Sequence, residues 1–161
     1  MGQEMIEIDW AEEGCVKPGF RRLNRIAAMQ YLYMHDVNRP DDRNQSLHAF
    51  FEGRTEGRDY YAFAEQLVHG VLDHLDAVDE HIERHATNWE FSRIAKVDLA
   101  ILRVSIYELY YREDIPPIVT INEAVDLSKM FSEYDSKRFI NGILDRIRGD
   151  LKRPDREPYH Q

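Results

Sequence analysis

Ala95-Lys96-Val97-Asp98-Leu99-Ala100-Ile101-Leu102-Arg103-Val104-Ser105-Ile106-Tyr107-Glu108-Leu109 is the stretch on which the fold turns. Leu99, Leu102, Ile106 and Leu109 recur at helical spacing, and Val97, Ile101 and Val104 add apolar positions beside them. A helix that is apolar on most sides is one buried among others. The pattern predicts a central helix over 92–112. Ile115-Pro116-Pro117 ends it, because a residue before proline avoids helical angles. Two amphipathic helices are expected to follow. In the first, Thr120-x-x-Glu123 resembles a capping box, and a start at Pro117 fits equally well. The second begins at Asp135 or Ser136 and carries the stripe Ile140, Ile143, Leu144 and Ile147.

Working back toward the N-terminus, Phe20, Leu23, Ile26, Ala27, Gln30, Tyr31 and Met34 share one face of a helix over 20–36. Asn38 to Asp42, with Pro40, breaks it. A short helix over 45–52 and a loop from Gly53 to Gly57 precede a long helical pattern over 59–85, read as one helix or two with a bend. Gly70 inside that pattern marks a close helix approach. Asn88-Trp89 is a connector. Residues 1–18 are acidic and lack a stripe, so they read as a flexible tail; 152–161 read as a frayed C-terminal tail. No strand pattern or repeat appears, and the expected class is all-α.

A chain of 161 residues forms about one domain and can bury a core without staples. The single Cys15 excludes an internal disulfide framework. The acidic N-terminus is unlike a signal peptide, and no apolar run is long enough to span a membrane; a cytoplasmic protein with no membrane partner is expected. The formal net charge of −9 argues against nonspecific nucleic-acid binding. Total charge says little about a local patch, however, so the placement of the arginines matters more.

Two places stand out. Arg21 and Arg25 are i,i+4 neighbours expected opposite the apolar stripe, with Arg22 on one flank. Cations in a first turn oppose the helix dipole, which points to a compensating anion or to pairing with nearby acids. Asp135 and Ser136 stand at a helix start, Phe139 at the margin of a stripe where it can stack on a base, and Arg138 nearly opposite the core. Their ordinary readings are a cap, an edge core residue and a solvated cation. Asp98 and Arg103 interrupt the apolar helix and need partners; a structural polar network with Glu108, Asn122 and Glu123 is expected.

Enzyme signals are weak. His81-x-x-x-His85 has zinc-like spacing without a third ligand and reads as solvated helix surface, as do Asp73, Asp76 and Asp79. No phosphate loop, Rossmann fingerprint or nucleophile elbow occurs. No catalytic residue, metal or cofactor is expected.

Taken in order, the motifs resemble the NusB family of bacterial transcription antitermination factors. The resemblance rests on Arg21-Arg22-x-x-Arg25-x-x-Ala28-x-Gln30, Leu67-Val68-x-Gly70-Val71, Trp89-x-x-x-Arg93-x-x-x-Val97-Asp98-x-Ala100-Ile101-Leu102-Arg103, Ile121-Asn122-Glu123-Ala124 and Ser136-x-x-Phe139-x-Asn141-Gly142. It covers roughly 21–148 and implies a non-catalytic, NusB-like domain over 19–151, made of two small helical bundles packed together, about 19–86 and 89–151. It further implies binding to the single-stranded boxA RNA of ribosomal RNA leaders together with NusE, which is ribosomal small-subunit protein S-ten, within the elongating RNA polymerase complex. Arg21, Arg22 and Arg25 would meet RNA phosphates, with Asp135, Ser136, Arg138 and Phe139 as a second RNA edge. The central helix and the Trp89 connector would face NusE. A homodimer that masks the arginine helix is compatible with the family. Leu23 and Asn24 depart from it where more base is usual. The alternatives are a helical module whose arginines meet an acidic protein, and a non-catalytic relative of the helical domain that precedes some RNA methyltransferases.

Overall fold

The structure, a computed structural model, describes residues 18–158. The expected acidic tail, but for Pro18, and Cys15 lie outside the described residues. Within them every regular element is a helix, so the all-α expectation holds. The chain divides into two compact units between Val68 and His69.

In the first unit, α1 (Phe20–Asn38) ends where Arg39 takes a left-handed φ of 46° and returns its amide to the His35 carbonyl at 2.8 Å. That turn closes the helix, and Pro40 next to it cannot resume helical bonding. The next helix, α2 (Arg43–Glu52), is capped by the Asp42 carboxylate, which accepts from the Gln45 amide at 3.1 Å. A 3-10 turn, Asp59–Tyr61, leads into α3 (Ala62–Asp73). Buried aromatics hold this unit together. Phe51 stacks on Tyr61 with centroids 5.2 Å apart, and Tyr31 meets Phe50 edge-on at 5.4 Å. Arg54 lies 4.5 Å over Phe50 and donates to Gln30 at 2.6 Å.

Asn24 joins α1 to the start of α3. Its amide nitrogen donates to the carbonyls of Phe20 and Tyr60 at 3.0 and 3.2 Å, and its oxygen accepts from the Ala64 amide at 2.9 Å. First-turn helix amides have no partner in their own helix, so Asn24 of α1 satisfies one of them at the start of α3.

The long pattern over 59–85 breaks at His74, and α4 (Leu75–His85) follows. After a 3-10 turn, Phe91–Arg93, come α5 (Lys96–Tyr111), α6 (Pro117–Phe131) and α7 (Ser136–Asp150). The central helix α5 packs on α4, α6 and α7, and α4 and α6 also pack on α7. This explains why α5 is buried nearly all round, with Ile101, Leu102 and Ile106 at 0% exposure. It also explains why the units part inside α3, earlier than the expected junction at 86–89: the apolar side of α4, with Val78 and Ile82, serves the second unit.

Two local expectations change. Pro117 is the first residue of α6, so Thr120 lies inside the helix and makes no capping box. Its hydroxyl donates instead to the buried Glu108 carboxylate at 2.9 Å. The segment after α7 is not frayed over 152–158. Arg153 donates to the carbonyls of Leu109, Ile115 and Arg112 at 2.9, 3.1 and 3.2 Å. The Asp155 carbonyl accepts from the Ile118 amide at 3.0 Å. One strap thus satisfies groups that the end of α5 and the start of α6 leave open. Gly70 does mark a close approach: a Cβ there would collide with the ring of Tyr107.

Candidate nucleic-acid interface

The arginine face of the first unit lies at the start of α1. Gly19 precedes the helix with no side-chain cap, and no acid stands in the first turn. Arg21 is exposed, Arg22 half-buried and Arg25 buried at 5% exposure. The expectation that Arg25 projects opposite the stripe beside Arg21 is therefore corrected. The cause is Phe63 at the start of α3: Arg21 lies 4.0 Å over its ring and Arg25 5.5 Å. A guanidinium held over an aromatic face keeps its charge and offers its N–H edge outward. Arg21 thus presents a fixed cation at the surface, whereas Arg25 is mainly part of the packing.

The second edge lies in the second unit. Asp135 occupies the position before α7, but its side chain makes no capping bond and stays exposed. Ser136 points inward: its hydroxyl donates to Asp98 at 2.9 Å and lies 2.8 Å from the hydroxyl of Ser132. Ser132 also donates to Asp98. Arg138 is exposed, and Phe139 is half-buried against Trp89, edge-on with centroids 5.6 Å apart. Of the four residues expected here, Asp135, Arg138 and Phe139 therefore offer surface, while Ser136 anchors the helix start that carries them. Tyr134, 83% exposed, with Lys137 5.0 Å from its ring, belongs to the same edge and was not singled out in the sequence. An aromatic in the break between two amphipathic helices was the available signal.

The expected polar network is divided. Asp98 binds the two serines at the start of α7. Glu108 binds Thr120. Arg103 is held by Asp79 of α4 through two bonds of 2.9 Å. Asn122 is exposed and Glu123 half-buried on α6. Asp79 was read as part of a solvated face; the fork of Arg103, 7% exposed, makes it a structural partner. The histidines are not solvated either. His85, 8% exposed, bonds through Nε2 to Asp150 at 3.0 Å and through Nδ1 to the His81 carbonyl at 2.8 Å. His81 stacks on Tyr110 at 4.0 Å, and burial pushes its pKa down.

The NusB family model matches residues 22–148. The Transcription antitermination protein NusB of Bacillus subtilis is 44% identical over 132 residues, covering 82% of this chain and 97% of the relative. The protein of the same description from Geotalea uraniireducens is 44% identical over 144 residues, 85% of this chain and 98% of the relative. Among solved structures, T. maritima NusB superposes with a TM-score of 0.75 at 32% identity, covering 86% of this chain and 96% of that one. A crystal structure of antitermination factors NusB and NusE in complex with dsRNA gives 0.73 at 25% identity, covering 82% and 98%. This chain belongs to the NusB family.

Proposed function

We propose that this chain is a non-catalytic transcription antitermination factor that binds boxA-type single-stranded RNA of ribosomal RNA leaders together with NusE and joins the elongating RNA polymerase complex in the cytoplasm. The observation that carries the reading is kinship over nearly the whole length of proteins named for antitermination, one of which has been crystallised with NusE and RNA. The site chemistry supports it. Arg21 on α1 and Arg138 on α7 are exposed cations of the type that fork onto phosphate, and Phe139 offers a ring for a base. In this assignment Arg21, Arg22 and Arg138 meet phosphates, and Phe139 and Asp135 meet bases. Ser136 holds the start of α7, and Arg25 supports the α1 face from beneath.

The overall negative charge fits a protein whose affinity for RNA alone is low and rises with a partner. Fluorescence polarisation of a labelled boxA-type RNA, with and without NusE, tests this. The expected result is weak binding by the chain alone and tighter, cooperative binding with NusE. Absence of binding to both RNA and NusE at low salt would refute the reading.

A further inference from the structure

A cleft of about 280 Å³ opens in the second unit between the connector after α4 and one side of α7. Asn88 and Trp89 line it from the connector, and Arg138, Phe139 and Arg146 from α7. We infer that this cleft is a pocket for one unstacked nucleobase of single-stranded RNA, with Trp89 as its stacking platform and Arg138 and Arg146 as its phosphate and edge contacts. The inference rests on the RNA-binding reading above and extends it to residues that reading does not use.

Trp89 is 57% exposed and touches Phe139 only edge-on. A tryptophan placed for packing is normally much more buried. An indole with uncovered surface beside a second ring is the arrangement on which bases stack.

The cleft is also held in shape. The Trp89 amide donates to the Ala86 carbonyl at 3.1 Å, which closes the connector into a turn. Arg146 donates to the His85 carbonyl and ties the end of α4, from which that turn leaves, to α7. Such a site needs little ordering when a ligand enters, which favours binding.

Charge selects the occupant. The lining carries two arginines and no carboxylate, on a chain of net charge −9. The exposed Asn88 amide offers both donor and acceptor to a base edge. Arg138 and Phe139 belong equally to the α7 edge, so a strand lying on that edge passes the mouth of the cleft. The Trp89 connector, expected from the sequence to face NusE, is thereby assigned to RNA.

The test combines protein and RNA changes with NusE present. Single abasic sites are moved along a labelled boxA-type RNA, and binding is measured by polarisation to the full chain and to its Trp89→Ala and Trp89→Phe variants. One abasic position is expected to weaken wild-type binding by about tenfold, the size of one base–aromatic stack. Trp89→Ala should lose a similar factor with intact RNA and lose nothing more with that abasic RNA; Trp89→Phe should recover most of it. Normal circular dichroism melting of both variants shows that the fold is kept, and the abasic series on the unaltered chain tests the pocket without any substitution. The inference is overturned if Trp89→Ala binds intact RNA as tightly as wild type while Arg138→Ala weakens it, which leaves the RNA-binding reading standing. It is also overturned if Trp89→Ala weakens NusE binding without RNA but not the RNA step, which would make the cleft a protein surface. If the unaltered chain binds no RNA with NusE, both this inference and the reading beneath it fall.

Discussion

Asn24 is fully buried, yet it satisfies three backbone groups across two helices. Asn24→Ala would leave the Ala64 amide and the Tyr60 carbonyl without that partner. The expected cost is about 2–3 kcal/mol, because a buried group stripped of its partner bears its full desolvation penalty. Urea unfolding measures it, and a loss within a few tenths of zero would show that water or a shift of α1 replaces the bonds. His81 makes a different prediction. Burial favours its neutral ring, so the folded chain releases this proton at lower pH than an unfolded histidine, whose pKa is 6.5. Below that value the unfolded state binds more protons, and the residue takes stability away as pH falls through 6.5; well above it the residue adds no pH dependence. His81→Phe keeps a ring against Tyr110 and removes the titration. Its stability relative to wild type should therefore rise between about pH 7.5 and pH 5.5 in paired thermal melts. Little of this was legible beforehand. Asn24 looked like a missing base in a basic helix, Asp79 like solvent-facing charge and His85 like surface. Each pairs with a residue distant in sequence, and no periodicity along one helix shows such a pair.

Elements were more legible, because their cause is local. The stripes of α1, α5 and α7 predict those helices to within a few residues, and Pro116-Pro117 sets the turn between α5 and α6. The missed features are those without a stripe: the 3-10 turns and the strap after α7. Arg153 sits among polar and proline residues that read as a loose end, yet it donates to the carbonyls at the end of α5. Arg153→Ala should lower the stability of the second unit by about 1–3 kcal/mol, the scale of charged hydrogen bonds lost to a helix end. It should also speed hydrogen exchange at Ile118, whose amide is held by Asp155. Unchanged exchange there would mean that the strap holds without its arginine.

At the scale of the whole molecule, a chain of net charge −9 carries exposed arginines at two helix starts, one in each unit. Pattern alone left those arginines divided between RNA and ordinary solvation; kinship with the family is what supports the proposed RNA assignment. The structure then separates candidate contact residues from supports. Arg21 and Arg138 are exposed, while Arg25 is buried and Ser136 is bonded inward. A test through Arg25 would confuse binding with packing. Arg21 and Arg138 avoid that, and the most direct measurement is the salt dependence of boxA-type RNA binding, with NusE present, by wild type and by the Arg21→Ala plus Arg138→Ala variant. Each lost phosphate contact on a single strand reduces the slope of log K against log salt by roughly 0.7. The expected result is weaker binding at low salt and a slope shallower by about 1.4. An unchanged affinity and slope in a variant that melts like wild type would contradict the claim that these two arginines carry the RNA.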